Sequence, residues 1–283
     1  MTESGNGTPI PTVDLNDGRP IPQIGLGTYA MTGDEGVAAI DAGIAGGYRL
    51  LDTAVNYQNE REVGRAIAES PVARKDLFVT SKIPGRHHGF DEAIASTEES
   101  LARLGLDHLD LHLIHWPNPS VGKYVDTWRG LIELRDRGLV TSIGVSNFTA
   151  DMLTELIEAT GVTPAVNQVE LHPYFPQTAL VDFHRSIGVQ TESWSPLYRD
   201  GGLFAEDPIT EAAAAHGVEP AQVVLRWHVE IGSIPIPKSA NPARQRTNAD
   251  IFGFSLTPAE VVAISGLERG RMKDRDPLTH EEM

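Results

Sequence analysis

The sequence predicts a closed barrel of eight parallel strands, each followed by a helix, and two observations lead to this fold class. Short apolar runs, several of them rich in Val, Ile and Leu as in strands buried on both faces, alternate with segments of helical spacing. No change of composition divides the 283 residues, and barrels of this kind commonly reach that length as one domain. We therefore expect a single domain over residues 1–283.

Eight short runs form the predicted strands, and turn residues flank most of them. They are Ile24–Leu26, Leu50–Thr53, Leu77–Ile83, Leu109–His115, Thr141–Ser146, Ala165–Glu170, Val189–Trp194 and Ser233–Ile236. A small N-terminal β-hairpin is expected before them, because apolar residues flank the turn sequence Asn16-Asp17-Gly18.

The segments between the strands carry helix start and stop signals. Asp91 is the expected N-cap of one helix, and Gly105 is its stop. Thr149 and Thr257 are expected to open two later helices, the second through a capping box with Glu260.

An open doubly wound sheet is the structural alternative. Its dinucleotide-binding fingerprint, G-x-G-x-x-G after the first strand, is incomplete here, because Ala30 stands at the third glycine position after Gly25 and Gly27. No helical pattern opens at that point either, so the closed barrel is favoured.

The two ends of the chain are predicted to lie outside the regular alternation. Residues 1–9 are polar and glycine-rich, and we expect them to be disordered. Residues 268–283 are charged and lack periodicity. This C-terminal tail could fold over the mouth of the barrel, and the alternative is a frayed terminus.

Composition excludes several classes of partner. A net charge of −16 repels nucleic acid and anionic lipid, and no stretch approaches the roughly 18 apolar residues that a membrane span needs. The absence of cysteine excludes disulfides and thiolate metal sites and fits a reducing compartment. No secretory signal is recognisable, so we expect a cytoplasmic protein. No apolar interface stripe is visible, so a monomer is predicted.

Four polar residues lie at or just beyond the C-terminal ends of predicted strands, where barrels of this class gather catalytic groups. Asp52 and Tyr57 follow one strand, Lys82 lies near the end of the next, and His115 ends the one after that. An ammonium held by Asp52 would lower the pKa of Tyr57 and make this phenol a better acid near neutral pH. Such a set suits donation of a proton to a carbonyl oxygen that His115 orients.

Each of the four also has a purely structural interpretation, such as a rim ion pair, a packed tyrosine or a hydrogen-bonded core histidine. Their coincidence at one face of the barrel favours catalysis. No metal site is predicted, because His112 and His115 point to opposite faces of one strand. His87 and His88 are adjacent in a loop, and no third ligand is evident.

Longer runs of the sequence resemble the aldo-keto reductase family. The run GYRLLDTAVNYQNEREVG, residues 47–64, resembles the first family signature, and TSKI, LIHWP, SIGVSNF and IPKSANPARQRTN resemble further motifs. The matches keep the family order from the hairpin to about Leu267. They are most similar to bacterial members of the 2,5-diketo-D-gluconate reductase type.

The resemblance implies a (β/α)₈ barrel that binds NADPH or NADP⁺ across its C-terminal mouth and reduces a small-molecule carbonyl substrate. By similarity, Tyr57 is the general acid, Asp52 and Lys82 tune it, and His115 orients the substrate. The positions that match cofactor contacts are Gly27, Thr28, Ser146, Asn147, Gln168, Trp194, Ser195, Leu197, Lys238, Ser239, Arg244 and Asn248. The positions that match the substrate pocket are Tyr29, Trp116 and His115.

The segment that begins at Lys238 also has a physical rationale of its own. It follows the eighth strand, where such barrels often bind phosphate, and it concentrates positive charge on an acidic protein. Asn241-Pro242 predicts a helix start whose free N–H groups face an anion. A solvated basic helix start is the alternative. Thr247 departs from the resemblance, because many family members have Glu at this position.

Two other functions remain open at the level of sequence. Lys82 could be the nucleophile of a Schiff-base lyase or aldolase, although a neighbouring Asp would hold its amine charged. The chain could also bind NADPH without catalysis. The complete set of four residues favours an NADPH-dependent reductase of small aldehydes, ketones or keto-sugars.

Overall fold

A two-stranded hairpin precedes the barrel, as the turn at residues 16–18 predicts. In the computed structural model, which describes residues 9–199, 201–272 and 275–283, β1 (Thr12–Asp14) pairs antiparallel with β2 (Pro20–Pro22). Leu15 and Ile21 are buried among side chains of the barrel interior. The hairpin therefore packs against the interior from the N-terminal side of the strands and leaves the other end open for a site.

Eight parallel strands follow one another around the barrel in chain order. They are β3 (Gly25–Gly27), β4 (Leu50–Asp52), β5 (Phe78–Ile83), β6 (Leu109–Ile114), β7 (Val140–Ser146), β8 (Val166–Glu170), β9 (Gln190–Trp194) and β10 (Ser233–Ile236). The Gly27 N–H donates to the Pro237 carbonyl at 3.0 Å across the seam between β3 and β10. The predicted barrel is confirmed, and each strand ends within one residue of its predicted bounds.

The helices pack around the outside of the strands. They are α1 (Gly33–Ala45), α2 (Glu60–Glu69), α3 (Phe90–Leu104), α4 (Tyr124–Asp136), α5 (Ala150–Thr160), α6 (Thr178–Ser186), α7 (Asp207–His216), α8 (Pro220–Glu230), α9 (Pro242–Ala249) and α10 (Pro258–Ser265). None of them, within the described ranges, is long and apolar enough to cross a membrane.

Most of the predicted helix signals act as expected. The Thr149 hydroxyl accepts from the Met152 N–H at the start of α5, and Thr257 forms the capping box at the start of α10. The prediction that Asp91 caps α3 is wrong. Gly89, with φ at 137°, is the N-cap, because this backbone conformation suits glycine and starts the helix two residues earlier.

The barrel interior changes from apolar to polar along the strands. Alternate residues of each strand point inward, so Leu50, Phe78 and Leu111 fill the half that the hairpin covers. Burial of each such side chain is worth roughly 1.5–3 kcal/mol relative to exposure. Asp52 and Lys82 follow on the same faces and lie in the half towards the mouth. The fold therefore directs charged groups to one end.

Residues 275–283 of the tail lie over the mouth. The Asn118 amide donates to the Glu282 carbonyl at 2.5 Å, and the Glu282 N–H donates back to the Asn118 side chain at 3.1 Å. The predicted tail over the mouth is confirmed for these residues. Residues 1–9 were expected to be disordered, and residues 1–8 of this segment lie outside the described residues. The single domain over residues 1–283 stays a prediction.

Candidate active site

A buried ion pair forms the floor of the mouth. The Lys82 ammonium on β5 donates to both carboxylate oxygens of Asp52 on β4, at 2.6 and 2.7 Å, and to the Thr53 carbonyl at 3.0 Å. Burial is the largest single effect and lowers the pKa of Lys82, but the charge and hydrogen bonds of Asp52, together with the charges of Tyr57 and Glu192, outweigh it and raise this pKa above its ordinary value. The amine is therefore held as a cation.

Tyr57 lies directly beside this ion pair. A short 3₁₀ turn, Val55–Tyr57, follows β4 and returns the phenol ring towards the strand ends. The Lys82 Nζ lies 5.1 Å from the centre of this ring, and the ring of His115 lies 5.8 Å from it at a steep angle. The structure thus brings together all four residues that the strand ends were predicted to gather.

The acidity of Tyr57 differs from the expectation. Burial raises the pKa of its hydroxyl above the ordinary value, and the positive charge of Lys82 lowers it by less. The negative charge of Asp52 also opposes Lys82. The predicted net lowering of the pKa was wrong, because the residues that surround this phenol remove more solvation than one paired ammonium restores.

The His115 ring contacts the carboxylate of Glu282, a residue of the C-terminal tail. Its Nδ1 lies 3.0 Å from the Glu282 Oε1, in a direction that does not make a proper hydrogen bond. The Asn56 amide donates to the same carboxylate, and the Gly85 N–H lies 3.4 Å from its other oxygen. An acceptor oxygen from this chain therefore stands at the position where His115 was predicted to orient a carbonyl.

A second buried acid extends the network across the barrel. The Gln168 Nε2 on β8 donates to the Asp52 Oδ2 at 2.8 Å and to the Glu192 Oε2 on β9 at 2.9 Å. Glu192 is fully buried. Sequence reasoning missed it, although a signal was present: a carboxyl two residues before Trp194 occupies an inward position of a predicted strand.

The wall beside β7 is held by its own hydrogen bonds. The Asn147 amide donates to the Ser146 hydroxyl and to the His115 carbonyl, both at 3.0 Å, and its oxygen accepts from the Trp194 indole N–H at 2.8 Å. Asn147 has φ at 66°, which turns the chain sharply at the end of the strand. The Trp194 ring is thereby fixed as one wall of the cavity.

The segment after β10 provides a cationic edge. Lys238 is exposed and lines the cavity, and Arg244 is exposed on the first turn of α9. Neither forms an ion pair with another residue of the described ranges. The expectation of free N–H groups at this helix start needs correction, because the Asn241 side chain already accepts from the N–H groups of Ala243 and Arg244.

The other predicted cofactor positions divide into two groups. Gly27, Ser195 and Leu197 line the cavity, and so do the predicted substrate residues Tyr29 and Trp116. The side chains of Thr28, Ser239 and Asn248 do not line the cavity. The Thr28 hydroxyl donates to the Asp52 carbonyl, and the Ser239 hydroxyl accepts from the Asn241 N–H. Asn248 is buried on α9. Thr28 and Ser239 thus support the local backbone rather than the cavity surface.

The cavity itself has a volume of about 660 Å³. Tyr57 and His115 line it, Trp194 forms a flat aromatic wall, and Lys238 adds a free cation. Residues 280–283 cover part of its rim. An aromatic face, an amide side chain and an unpaired cation on one surface fit a ligand with a flat ring and phosphate groups. Within the described ranges, no group of three or more His, Cys, Asp or Glu side chains could hold a metal ion.

Comparison with known proteins decides the family. Residues 23–269 match the model of the aldo/keto reductase family. The chain belongs to this family. It is 66% identical over 274 residues to 2,5-diketo-D-gluconic acid reductase B of Corynebacterium sp. (strain SHS752001), covering 97% of this chain and 99% of that relative.

Solved structures of other aldo-keto reductases have the same fold. An enzyme of Bombyx mori in complex with NADP matches with a TM-score of 0.89 and 36% identity, over 97% of this chain and 98% of that one. A variant of Gox0644 in complex with NADPH matches with a TM-score of 0.92 and 42% identity, over 97% and 100%. The predicted family membership is confirmed.

Proposed function

We propose that this aldo/keto reductase family member is an NADPH-dependent oxidoreductase that reduces small aldehydes, ketones or keto-sugars, with Tyr57 as the general acid. The observation that carries the proposal is that Tyr57, Asp52 and His115 line one cavity, with Lys82 buried directly behind them and paired with Asp52. The relative named as a 2,5-diketo-D-gluconic acid reductase supports a keto-sugar acid as one substrate. The relatives crystallised with NADP and NADPH support the cofactor.

The proposed proton transfer uses groups that the chain already holds in place. NADPH, when bound, supplies a hydride to the carbonyl carbon. Tyr57 gives its hydroxyl proton to the carbonyl oxygen, and the charged Lys82 stabilises the phenolate that remains. Asp52 keeps Lys82 charged and in place. A phenol is protonated at neutral pH even at its ordinary pKa, and burial, which raises the pKa of Tyr57, does not change this state, which a proton donor needs.

The same residues orient the two ligands. We assign His115 to the substrate carbonyl, Gln168 to the nicotinamide carboxamide, and Trp194 to the nicotinamide ring face. Ser146 and Asn147 would complete the carboxamide site. Their polar groups already bond within the chain, so they would act by sharing those bonds or exchanging them.

The cationic edge is assigned to the adenosine 2′-phosphate. Lys238 and Arg244 have no carboxylate partner in the described residues, so their charges are available to an anion. This assignment predicts a preference for NADPH over NADH, which lacks that phosphate. A cytoplasmic monomer remains the expected form of the enzyme.

The Schiff-base alternative is disfavoured by the ion pair. An amine must lose its proton before it can attack a carbonyl, and Lys82 is held charged by two short bonds to Asp52. Trapping of a substrate adduct on Lys82 with borohydride would reverse this preference. The non-catalytic alternative would be supported if the protein bound NADPH tightly and no carbonyl compound of the panel caused its oxidation.

The function is tested by mixing the protein with NADPH and a panel of aldehydes, ketones and keto-sugars. We expect the nicotinamide absorbance to fall. Tyr57→Phe should lower kcat by roughly 10²–10⁴ because the proton donor is lost, and it should leave NADPH affinity nearly unchanged. Tyr124→Phe removes a phenol outside the cavity and is the matched control, with kcat like that of the wild type. An unchanged kcat in Tyr57→Phe would remove Tyr57 from this role.

A further inference from the structure

Glu192 is a buried acid that the proposed chemistry does not use. It lies in the middle of β9 and is fully buried. Its Oε2 accepts one hydrogen bond, from the Gln168 Nε2 at 2.9 Å. Its Oε1 is buried and has no hydrogen-bond partner in the part of the chain that the structure describes. Such a position in the barrel centre is costly for a charge and calls for a physical account.

The contacts of Glu192 fit a neutral carboxylic acid. Lys82, the one cation among the described residues that faces it, already donates twice to Asp52. A single hydrogen bond from a neutral amide does not offset the loss of solvation of a carboxylate. Burial, and secondly the negative charge of Asp52, raise the pKa of Glu192 to about 8. We therefore expect the acid to be protonated at neutral pH.

The two carboxyl groups together determine how the Gln168 amide is turned. Its nitrogen donates to the Asp52 Oδ2 and to the Glu192 Oε2. An ionised Asp52 can only accept, so the nitrogen faces Asp52, and the Glu192 carbonyl oxygen accepts its second hydrogen. No described residue donates to the Gln168 Oε1, and Gln168 lines the mouth cavity. The amide oxygen is thus left available to a donor that enters this cavity.

We propose that Glu192 is a positioning residue: with Asp52 it fixes the Gln168 amide with its nitrogen inward, so that its oxygen can accept a hydrogen bond from the nicotinamide carboxamide. This inference rests on the proposed function, which assigns Gln168 to that carboxamide. Glu192 would act through Gln168 without touching the cofactor.

A second consequence concerns charge. The charged groups that face Glu192 are Asp52 on β4 and Lys82 on β5; β8 presents the neutral Gln168, and β10 presents Ile234 at the adjacent register position. Loss of the Glu192 proton adds a negative charge beside the ion pair. That charge disfavours the phenolate that Tyr57 leaves behind, so turnover should fall as pH rises through the pKa of Glu192.

Three variants separate the acceptor from the charge. Glu192→Gln keeps the shape and an acceptor oxygen but cannot ionise. Glu192→Leu keeps the approximate size and removes the acceptor. Thr191→Val is the matched control, because it removes a buried hydroxyl that pairs with His184 from the neighbouring position of the same strand.

Two measurements need no turnover. In infrared spectra of the cofactor-free wild type, we expect a protonated-carboxyl band that disappears as pH rises through about 8. It should be absent in Glu192→Gln and unchanged in Thr191→Val. In fluorescence titrations, Glu192→Leu should weaken NADPH binding by roughly 3- to 10-fold, which corresponds to the loss of about one hydrogen bond. Glu192→Gln should bind NADPH nearly as tightly as the wild type.

Kinetics provide the third measurement. The wild type and Thr191→Val should lose kcat/KM on the order of tenfold at alkaline pH, whereas Glu192→Gln should keep a flatter profile. The proposal is overturned if Glu192→Leu binds NADPH like the wild type, or if Glu192→Gln keeps both the infrared band and the alkaline loss. If no carbonyl oxidises NADPH in the wild type while the infrared and binding results hold, the proposed function fails and the positioning role stands.

Discussion

At the scale of single residues, Lys82 has the largest energetic consequence. It is completely buried, and its ammonium donates three hydrogen bonds, two of them to Asp52. Two charges without solvent stabilise each other only while both are present. The pair that we propose to support a Tyr57 phenolate is therefore also costly to break on one side, and the two effects can be separated.

We expect Lys82→Met to lower the free energy of unfolding by about 3–5 kcal/mol, because it leaves the Asp52 carboxylate buried and unpaired. The double variant Asp52→Asn/Lys82→Met removes both charges and should recover much of this loss without recovering turnover. Urea denaturation followed by circular dichroism measures the first effect, and NADPH oxidation measures the second. A loss below about 1 kcal/mol for the single variant would contradict a strongly coupled buried pair.

At the scale of elements, the start of α9 shows how a helix is used for more than packing. Its first turn is capped by Asn241, so its N–H groups are largely satisfied. What remains for an anion is side-chain charge, from Lys238 and Arg244. A phosphate at this edge would therefore be bound by charge-assisted hydrogen bonds from flexible cations.

We expect Lys238→Met to weaken NADPH binding by roughly tenfold and NADH binding by far less, because only NADPH carries the 2′-phosphate. The effect should shrink at high salt, since an exposed charge is screened. Arg246→Met is the matched control, because it also removes one exposed positive charge, from a residue of α9 that does not line the cavity. The Arg246 side chain instead approaches Gly46 after α1. Equal weakening of both cofactors by Lys238→Met would refute the 2′-phosphate assignment.

At the scale of the whole molecule, the two ends of the barrel are covered differently. The hairpin packs against one end through buried apolar residues, whereas polar contacts hold the tail across the other. The Glu282 carboxylate lies against His115, Asn56 and Gly85 inside the mouth cavity, to which we assign the substrate. The tail in this position would compete with a substrate for His115.

Burial works to raise the pKa of Glu282, but the close approach of His115 and the hydrogen bonds from Asn56 and the Gly85 N–H together outweigh it, and the pKa lies below its ordinary value. A lowered carboxyl pKa means that the contact is at full strength above the ordinary value and is lost as pH falls through the lowered one. We therefore expect the contact between the Glu282 carboxylate and His115 to be present at neutral pH.

We expect Glu282→Gln to lower KM for a small aldehyde by roughly 2- to 5-fold, because a neutral amide binds less strongly at this position than a carboxylate. Steady-state kinetics at pH 7 measure this, with Glu268→Gln as a control that removes the same charge from an exposed position outside the cavity lining. A higher KM in Glu282→Gln would show that the carboxylate helps to bind substrate instead.

The predicted features succeeded where the physics is local. Strand bounds came from short apolar runs, and the caps at Thr149 and Thr257 came from side chains that reach only three residues along the chain. The convergence of Asp52, Tyr57, Lys82 and His115 followed from one topological rule about parallel strand ends. Asp91 failed as a cap because the conformation of Gly89 decided the helix start.

The amino-acid sequence by itself determined the barrel, its family and the chemical types present at its mouth, since periodicity and motif order are properties of a linear chain. The tertiary structure alone decided the protonation of those groups and their partners. Glu192 meets Gln168 across two strands, and Glu282 meets His115 from far along the chain. A pKa depends on solvent exclusion and on charges in three dimensions, and neither quantity exists until the chain is folded.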